Sequence, residues 1–212
     1  GGPCMVRAAA KNFNDVTIVV DPAEYTVVLK EIKEHSQSVT LDTRRRLSRN
    51  AYAHTARYDA SIAKYMSSTL NKEPTFSPWF QQPFQKVQEL RYGENPHQNA
   101  AFYKEVHAKI SDIASARQLQ GKELSFNNII DLDAAWGLVT EFDRGAVAII
   151  KHTNPCGVAV GDNQLETFIK AQETDPESAF GGIIGFNQTV TESTANEIAT
   201  NYVEAVVAPG FE

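Results

Sequence analysis

Residues 145–157, GAVAIIKHTNPCG, carry the strongest structural signal in the chain. Its first six residues, 145–150, are continuously apolar, and a short run of this kind favours a buried strand. The run ends directly at Lys151 and His152, which a tight turn follows. Ligands of open α/β sheets collect beyond the carboxyl ends of strands, so two titratable side chains at this position indicate a candidate site.

The Lys151-His152 pair has two interpretations that the residues alone leave open. A histidine at a strand end can act as a general base, and a neighbouring lysine can stabilise developing negative charge. Alternatively, the lysine is a solvated surface cation and the turn backbone satisfies the histidine. The first interpretation makes this pair the centre of a catalytic site.

Outward from this pair, strand and helix patterns alternate, which predicts an α/β fold. Upstream, the β-branched run Val16–Val20 predicts a buried strand, and a long Ala-rich segment over 40–68 predicts one or two helices. Three prolines within 71–83 prevent a regular helix there and indicate a linker between two domains. The remaining predicted elements are helices over 5–12, 24–34, 131–141, 165–172 and 191–200, and strands over 84–92, 183–186 and 203–207.

Composition limits the classes of function. The chain has 212 residues and a net charge of −6, so a broad polyanion-binding surface and nucleic-acid binding are not expected. Its two cysteines, Cys4 and Cys156, lack metal-ligand spacing, so no metal is predicted. Sparse cysteine fits a reduced cytoplasm, and no apolar run approaches the roughly 20 residues of a membrane span.

Three further motifs are weaker when taken singly. Arg91-Tyr92 follows a predicted strand and enters a Gly/Pro turn; an arginine fork suits phosphate, although a plain surface turn explains the pattern too. The segment Asp175–Gly182 places an aromatic ring before two glycines, which permits close ligand approach or simply a turn into a strand. Lys11 follows three alanines, from which its side chain can reach out, but a solvated lysine at a helix end explains the pattern better.

Together, the motifs resemble a known family. The segments GGPCMVRAAAKN, HTARYDASIAKYM, LRYGENPHQNAAFY, IIKHTNPCGVAVG, ESAFGGIIGFN and VEAVVAPGFE occur in this order. They resemble the bifunctional purine biosynthesis enzymes that join phosphoribosylaminoimidazolecarboxamide (AICAR) formyltransferase to IMP cyclohydrolase. The resemblance implies the last two steps of IMP synthesis, namely formyl transfer from 10-formyltetrahydrofolate to AICAR, giving FAICAR, and cyclisation of FAICAR to IMP with loss of water.

The resemblance also implies a domain organisation. Residues 1–70 correspond to the carboxyl-terminal part of the cyclohydrolase domain, which is methylglyoxal-synthase-like, and residues 71–83 correspond to the linker. Residues 84–212 correspond to the amino-terminal part of the formyltransferase domain, which is cytidine-deaminase-like without its zinc. We therefore expect an internal fragment that is not active alone, from a homodimer whose subunits share sites.

For formyl transfer, the resemblance assigns His152 as the base that takes the proton of the AICAR 5-amino group, with Lys151 beside it for hydrogen bonding and charge stabilisation. Arg91 and Tyr92 correspond to positions that hold the nucleotide phosphate. Further positions that contact the nucleotide correspond to Asn128, Gly181 and Glu204.

Two further assignments follow from the resemblance. Near the position of the folate site lie Glu177, Ser178, Ala179 and Phe180. In the first domain, Lys11 corresponds to the cyclohydrolase lysine, which stabilises the leaving oxygen, and Gly1-Gly2 would lie beside the base.

Two alternatives differ in class. A catalytically inactive nucleotide-binding module would keep the fold without the reaction, but retention of Lys151, His152, Arg91 and Lys11 argues against it. A deaminase-like metalloenzyme on the related fold would need a Cys-x-x-Cys motif, which this sequence lacks.

Overall fold

The computed structural model describes residues 2–69, 79, 81–106 and 112–212. The chain divides into two compact units, Gly1–Pro83 and Phe84–Glu212, which are described separately. The predicted linker over 71–83 lies outside the described residues except at positions 79 and 81–83. Within the described ranges, no helix is both long and apolar enough to cross a membrane.

The described part of the first unit is helical. Its helices are α1 (Pro3–Lys11), α2 (Tyr25–Glu34) and α3 (Leu41–Thr69), and a 3-10 turn (Pro22–Glu24) precedes α2. Helix α1 packs on α3, where Ala10 and Ala51 are buried and the Ser48 hydroxyl donates to the Ala10 carbonyl at 2.7 Å. Close packing of small residues therefore fixes the end of α1 against α3.

The Glu31 carboxylate links α2 to the start of α3. It accepts hydrogen bonds from the backbone N–H of Thr40 at 2.8 Å and from the hydroxyl of Thr43 at 2.5 Å. These hydrogen bonds, that of Thr43 foremost, lower the pKa of Glu31. The carboxylate thus satisfies donors that the first turn of a helix leaves without partners.

One expectation for this unit is wrong, and another is narrowed to one of its alternatives. The run Val16–Val20 is half-buried but forms no strand, because the described residues of the unit contain no strand to pair with it. The segment over 40–68 forms one helix rather than two, and its buried residues lie between Leu47 and Thr55. The apolar side chains of Ile62 and Tyr65, nearer its carboxyl-terminal end, are exposed.

The second unit is built on a mixed four-stranded sheet. Its strands are β3 (Ala146–Lys151), β4 (Asn154–Val160), β5 (Ile183–Phe186) and β6 (Ala205–Val207), in the order β4-β3-β5-β6. Strand β3 pairs antiparallel with β4 and with β5, and β5 pairs parallel with β6. A separate antiparallel hairpin consists of β1 (Phe84–Leu90) and β2 (Ala100–Glu105). The other elements are α4 (Phe126–Thr140), α5 (Gln164–Thr174), α6 (Pro176–Ala179) and α7 (Glu192–Ile198).

Strand β3 is covered on both faces. Val147 and Ile149 pack into a core with α5, including Phe168 and Ala171. The alternate residues of β3 face α4, where Ile150 lies in a cluster with Leu132 and Ala135, and where Ala146 and Ala148 contact Val139. Burial on both faces explains why this strand is continuously apolar instead of alternating.

The prediction of an α/β architecture is confirmed for this unit, but two of its strands, β2 and β4, were not expected. Residues 154–160 form β4, although Pro155 and Gly157 indicated a turn. Pro155 is tolerated because β4 is an edge strand, where a missing backbone donor leaves no ladder partner unsatisfied. Helix α4 also begins earlier than predicted, at Phe126, because Ser125 caps it.

Gly157 provides a test of this packing. A Cβ atom there would lie 1.8 Å from the carbonyl oxygen of Ala171, so the Gly157→Ala substitution forces β4 and α5 apart. We expect it to reduce the free energy of unfolding by about 3 kcal/mol or more. Urea unfolding followed by circular dichroism measures the change.

The matched control is Gly137→Ala, in the middle of α4, where an added Cβ meets no atom within 4 Å. Alanine should raise the free energy of unfolding by about 0.5–1 kcal/mol there, because it has the higher helix propensity. Equal stability of the two variants would contradict the close approach of β4 to α5.

Candidate functional site

The Lys151-His152 pair lies at a hairpin turn between β3 and β4. Lys151 is the last residue of β3, and Asn154 is the first residue of β4 and its register partner. The two turn residues, His152 and Thr153, have positive φ angles of 53° and 59°. Two-residue hairpins favour this conformation, although glycine and asparagine usually supply it. The expected strand end and the tight turn after it are therefore confirmed, and the turn joins two antiparallel strands.

Hydrogen bonds hold this turn from within and from α4. The His152 carbonyl accepts from the Thr153 hydroxyl at 2.7 Å and from the Asn154 side-chain amide at 2.8 Å. The Thr153 backbone N–H donates to a carboxylate oxygen of Asp131 at 2.7 Å. The His152 side chain itself is exposed. The turn thus presents the imidazole to solvent on a fixed backbone.

Lys151 joins the turn to the loop before β5. Its ammonium group donates to the Phe180 carbonyl at 2.8 Å, and its side chain is half-buried. An ammonium group carries three donors, so two remain for a ligand. The Phe180 ring is 62% exposed and lies against the Tyr202 ring at a centroid distance of 5.7 Å.

Asn128 and Glu204, which are distant in sequence, meet in the structure. The Asn128 side-chain amide donates to a Glu204 carboxylate oxygen at 3.0 Å. The amide oxygen of Asn128 accepts from the Ser125 hydroxyl at 2.8 Å, as part of the capping box that begins α4. The Tyr202 hydroxyl donates to the other Glu204 oxygen at 3.3 Å. Two residues assigned to nucleotide contacts therefore form one polar cluster.

Gly181 lies beside this cluster. Its φ angle of 70° is in the left-handed region, which favours glycine. Its N–H donates to the Tyr202 carbonyl at 2.9 Å, and the Glu204 N–H donates to the Gly182 carbonyl at 3.1 Å. The loop that contains Phe180 is thus hydrogen-bonded to the segment that leads into β6 and contains Glu204.

Arg91 and Tyr92 follow β1 directly. The Arg91 guanidinium carbon lies 5.5 Å from the centroid of the Tyr92 ring. Both residues line a shallow pocket that also includes Ser125, the cap of α4. Because Ser125 is hydrogen-bonded to Asn128, this pocket borders the polar cluster at the start of α4.

The segment Glu177–Phe180 contains the last three residues of the short helix α6 and the residue that follows it. Glu177 is exposed, Ser178 is half-buried and Ala179 is buried. Ala179 and Phe180 line a second pocket, whose other walls include residues of β3, α5 and the segment before β6. The segment assigned to the folate site therefore forms one wall of a partly apolar pocket.

Lys11 lies in the first unit, as the exposed last residue of α1. Gly2 precedes α1 with a φ angle of 85° and is exposed, whereas Gly1 is outside the described residues. The other assigned residues belong to the second unit.

The structure also shows polar residues near the candidate site that the sequence analysis did not identify. Ser125 and Tyr202 contact the assigned residues Asn128 and Gly181, and Asp131 contacts Thr153, the neighbour of His152; only the S-x-x-N spacing of the Ser125 cap could have indicated one of them. Burial raises the pKa of the Cys156 thiol, which donates to the Ile149 carbonyl at 3.4 Å. The thiol therefore stays protonated at neutral pH and is not suited to nucleophilic attack.

Within the described ranges, no group of three or more His, Cys, Asp or Glu side chains could hold a metal ion.

A comparison with known families matches residues 9–212 to the AICARFT/IMPCHase bienzyme. The match covers nearly the whole chain. The chain belongs to the AICARFT/IMPCHase bienzyme family. The resemblance based on the sequence motifs is therefore confirmed, and membership supports an enzyme of purine biosynthesis. The matched range includes both Lys11 in the first unit and the Lys151-His152 turn in the second.

Asp175 provides a test of the geometry around α6. Its carboxylate accepts from the Ser178 backbone N–H at 3.0 Å, and hydrogen bonding from the side chain and backbone of Ser178 lowers its pKa. Because the pKa is lower in the folded chain, the carboxylate stabilises this cap above about pH 4, and that contribution is lost as the pH falls through the lowered pKa.

We expect Ser178→Ala to raise the pKa of Asp175 towards its ordinary value, because the hydroxyl donor is removed. An NMR titration of the side-chain carboxyl carbon measures the change, with Ser193→Ala in α7 as the control. An unchanged Asp175 pKa in Ser178→Ala would show that the hydroxyl does not reach the carboxylate.

Proposed function

We propose that this member of the AICARFT/IMPCHase bienzyme family takes part in both final steps of IMP synthesis, with formyl transfer centred on the β3–β4 turn. The observation that carries the proposal is the convergence of separate segments at this end of the second unit. Lys151 contacts the Phe180 carbonyl, and Asn128 contacts Glu204. Gly181, next to Phe180, donates its N–H to the carbonyl of Tyr202, two residues before Glu204.

In the proposed formyl transfer, the 5-amino nitrogen of AICAR attacks the formyl carbon of 10-formyltetrahydrofolate. His152 accepts the proton that the amine loses, and the bond from the formyl carbon to N10 of the folate breaks. The proton ends on N10, giving FAICAR and tetrahydrofolate. Lys151, with two donors left by its bond to Phe180, stabilises the negative charge that develops on the formyl oxygen.

The nucleotide would lie between the start of α4 and the loop before β5. Arg91 and Tyr92 would hold its phosphate, since they line the pocket beside Ser125. Asn128, Gly181 and Glu204 would contact the rest of the nucleotide. The exposed Phe180 ring and the α6 segment would contact the folate, as one wall of the partly apolar pocket.

The cyclisation of FAICAR would use the first unit. In that reaction the carboxamide nitrogen attacks the formyl carbon and a water molecule is lost. Lys11 is exposed at the end of α1, where its ammonium group could stabilise the leaving oxygen. The packing of Ala10 against α3 fixes the backbone beside it. We further propose that the protein is a cytoplasmic homodimer that needs no metal and binds no nucleic acid.

Single substitutions of His152 and Lys11 test the two proposed reactions separately. We expect His152→Ala in the intact protein to lower kcat of formyl transfer by about 10²- to 10⁴-fold, because the base is lost. Cyclisation of added FAICAR should continue at an unchanged rate. Lys11→Ala should give the opposite pattern. Both rates are measured by absorbance assays of tetrahydrofolate and IMP formation.

The control is His54→Ala, which removes an exposed histidine from α3. Formyl transfer at the normal rate in His152→Ala would exclude His152 as the base. If the unmodified protein binds AICAR but transfers no formyl group, the alternative of an inactive nucleotide-binding module is correct.

Arg91 tests the phosphate assignment. We expect Arg91→Ala to weaken AICAR binding by about 10- to 100-fold, because charge-assisted hydrogen bonds to the phosphate are lost. Arg91→Lys should give an intermediate affinity, because lysine keeps the charge without the fork of donors. Isothermal titration calorimetry measures both.

Lys170→Ala is the matched control, since it removes one exposed positive charge from α5. If Arg91→Ala and Lys170→Ala bind AICAR equally well, Arg91 does not hold the phosphate.

A further inference from the structure

The β3–β4 turn has a backbone conformation that its residues do not favour. His152 and Thr153 both have φ angles in the left-handed region, at 53° and 59°. A β-branched residue such as threonine is especially disfavoured there, because its Cβ substituents crowd the backbone. Such a conformation persists only where surrounding contacts hold it, and it occurs often at functional sites.

One contact reaches this turn from another element. Among the described hydrogen bonds, the two that the His152 carbonyl accepts come from Thr153 and Asn154, within the hairpin itself. The bond from the Thr153 N–H to Asp131, at 2.7 Å, crosses to α4. Its acceptor is a carboxylate, and hydrogen bonds to ionised groups are stronger than neutral ones.

Helix α4 is a suitable anchor for this contact. Asp131 is followed directly by Leu132, which is buried, and Ala135 one turn later is completely buried against the sheet. Asp131 is half-buried and forms no ion pair with any residue in the described ranges. The core therefore fixes the helix that carries Asp131, and the Asp131 carboxylate bonds the turn.

The same helix also positions the polar cluster. Asn128, which bonds Glu204, lies three residues before Asp131, so both side chains project from neighbouring positions on one face of α4. A single rigid element thus sets both the turn that presents His152 and the residues proposed to contact the nucleotide.

We propose that Asp131 is a positioning residue for formyl transfer, which fixes His152 by holding the Thr153 N–H and so keeping the turn in its left-handed conformation. This inference rests on the proposed role of His152. Asp131 does not touch the reacting atoms; it acts through the turn backbone. Without it, the turn relaxes and the imidazole leaves the position from which it can accept the amine proton.

The test compares variants of Asp131 in the intact protein. We expect Asp131→Ala to lower kcat of formyl transfer by about 10- to 100-fold, the effect of a small misplacement of a catalytic group, with little change in KM for AICAR. Asp131→Asn should retain most of the activity, because its amide oxygen can still accept from the Thr153 N–H. Asp133→Ala, which removes an exposed carboxylate two residues further along α4, is the control.

A second substitution distinguishes positioning from a general structural role. Thr153→Gly in the Asp131→Ala background should restore part of the lost kcat, because glycine adopts a positive φ without steric cost. Cyclisation of FAICAR should be unaffected in every variant. Normal kcat in Asp131→Ala, or equal losses in Asp131→Ala and Asp131→Asn without rescue by Thr153→Gly, would overturn the proposal.

Hydrogen exchange at the Thr153 amide tests the contact independently of activity. Asp131→Ala should accelerate this exchange by at least about 10-fold, and Asp131→Asn should accelerate it less. Equal exchange in the unmodified protein and in Asp131→Asn and Asp131→Ala would refute the anchoring. If the unmodified protein shows no formyl transfer, the proposed function fails, whereas the exchange measurement still decides whether Asp131 holds the turn. If Asp131→Ala does not fold, Asp131→Asn and Asp133→Ala provide the comparison.

Discussion

The second unit depends on the burial of β3 on both of its faces. Its side chains alternate between a core shared with α5 and a core shared with α4. Removing this strand's apolar surface from water is a favourable contribution to folding from both of its faces. The two helices must lie on opposite faces, and both neighbouring positions in the sheet are occupied by β4 and β5. The position of every other element in the sheet follows from this arrangement.

The candidate site is a consequence of where β3 ends. Lys151 is the first residue of the strand that is not fully buried, and its long side chain reaches the carbonyl of Phe180. Because α4 packs on the same strand, Asp131 lies within hydrogen-bonding distance of the turn. Because β6 pairs with β5, Glu204 comes to Asn128. The polar groups therefore meet because the apolar parts of their own elements are packed around one strand.

This packing also brings the backbones of β4 and α5 very close together. Gly157 in β4 lies so near the Ala171 carbonyl that a Cβ atom cannot be accommodated, and Gly181 has a conformation that favours glycine. These positions limit how the sheet and its loops can rearrange. The strained turn at His152 and Thr153 is the exception, since neither residue favours its conformation, and a side chain from α4 supplies the contact that holds it.

Elements whose signal is local could be predicted from the amino-acid sequence alone. The apolar run before Lys151 indicated a buried strand, the motifs indicated the family, and a match over residues 9–212 confirmed it. The helices around Leu165 and Glu192 and the strand at Ile183 were predicted because periodicity and composition act over a few residues.

Features that depend on partners distant in sequence became visible only in the folded chain. Val16–Val20 has the composition of a strand but no strand beside it, so it remains unpaired in the described unit. Residues 154–160 contain proline and glycine yet form a strand, because they pair with β3, and the proline is tolerated because this strand lies at the edge of the sheet. The contact of Asp131 with Thr153 crosses 22 positions of sequence, and that of Asn128 with Glu204 crosses 76. No local pattern encodes such contacts, since a hydrogen bond between two elements exists only after the core has brought them together.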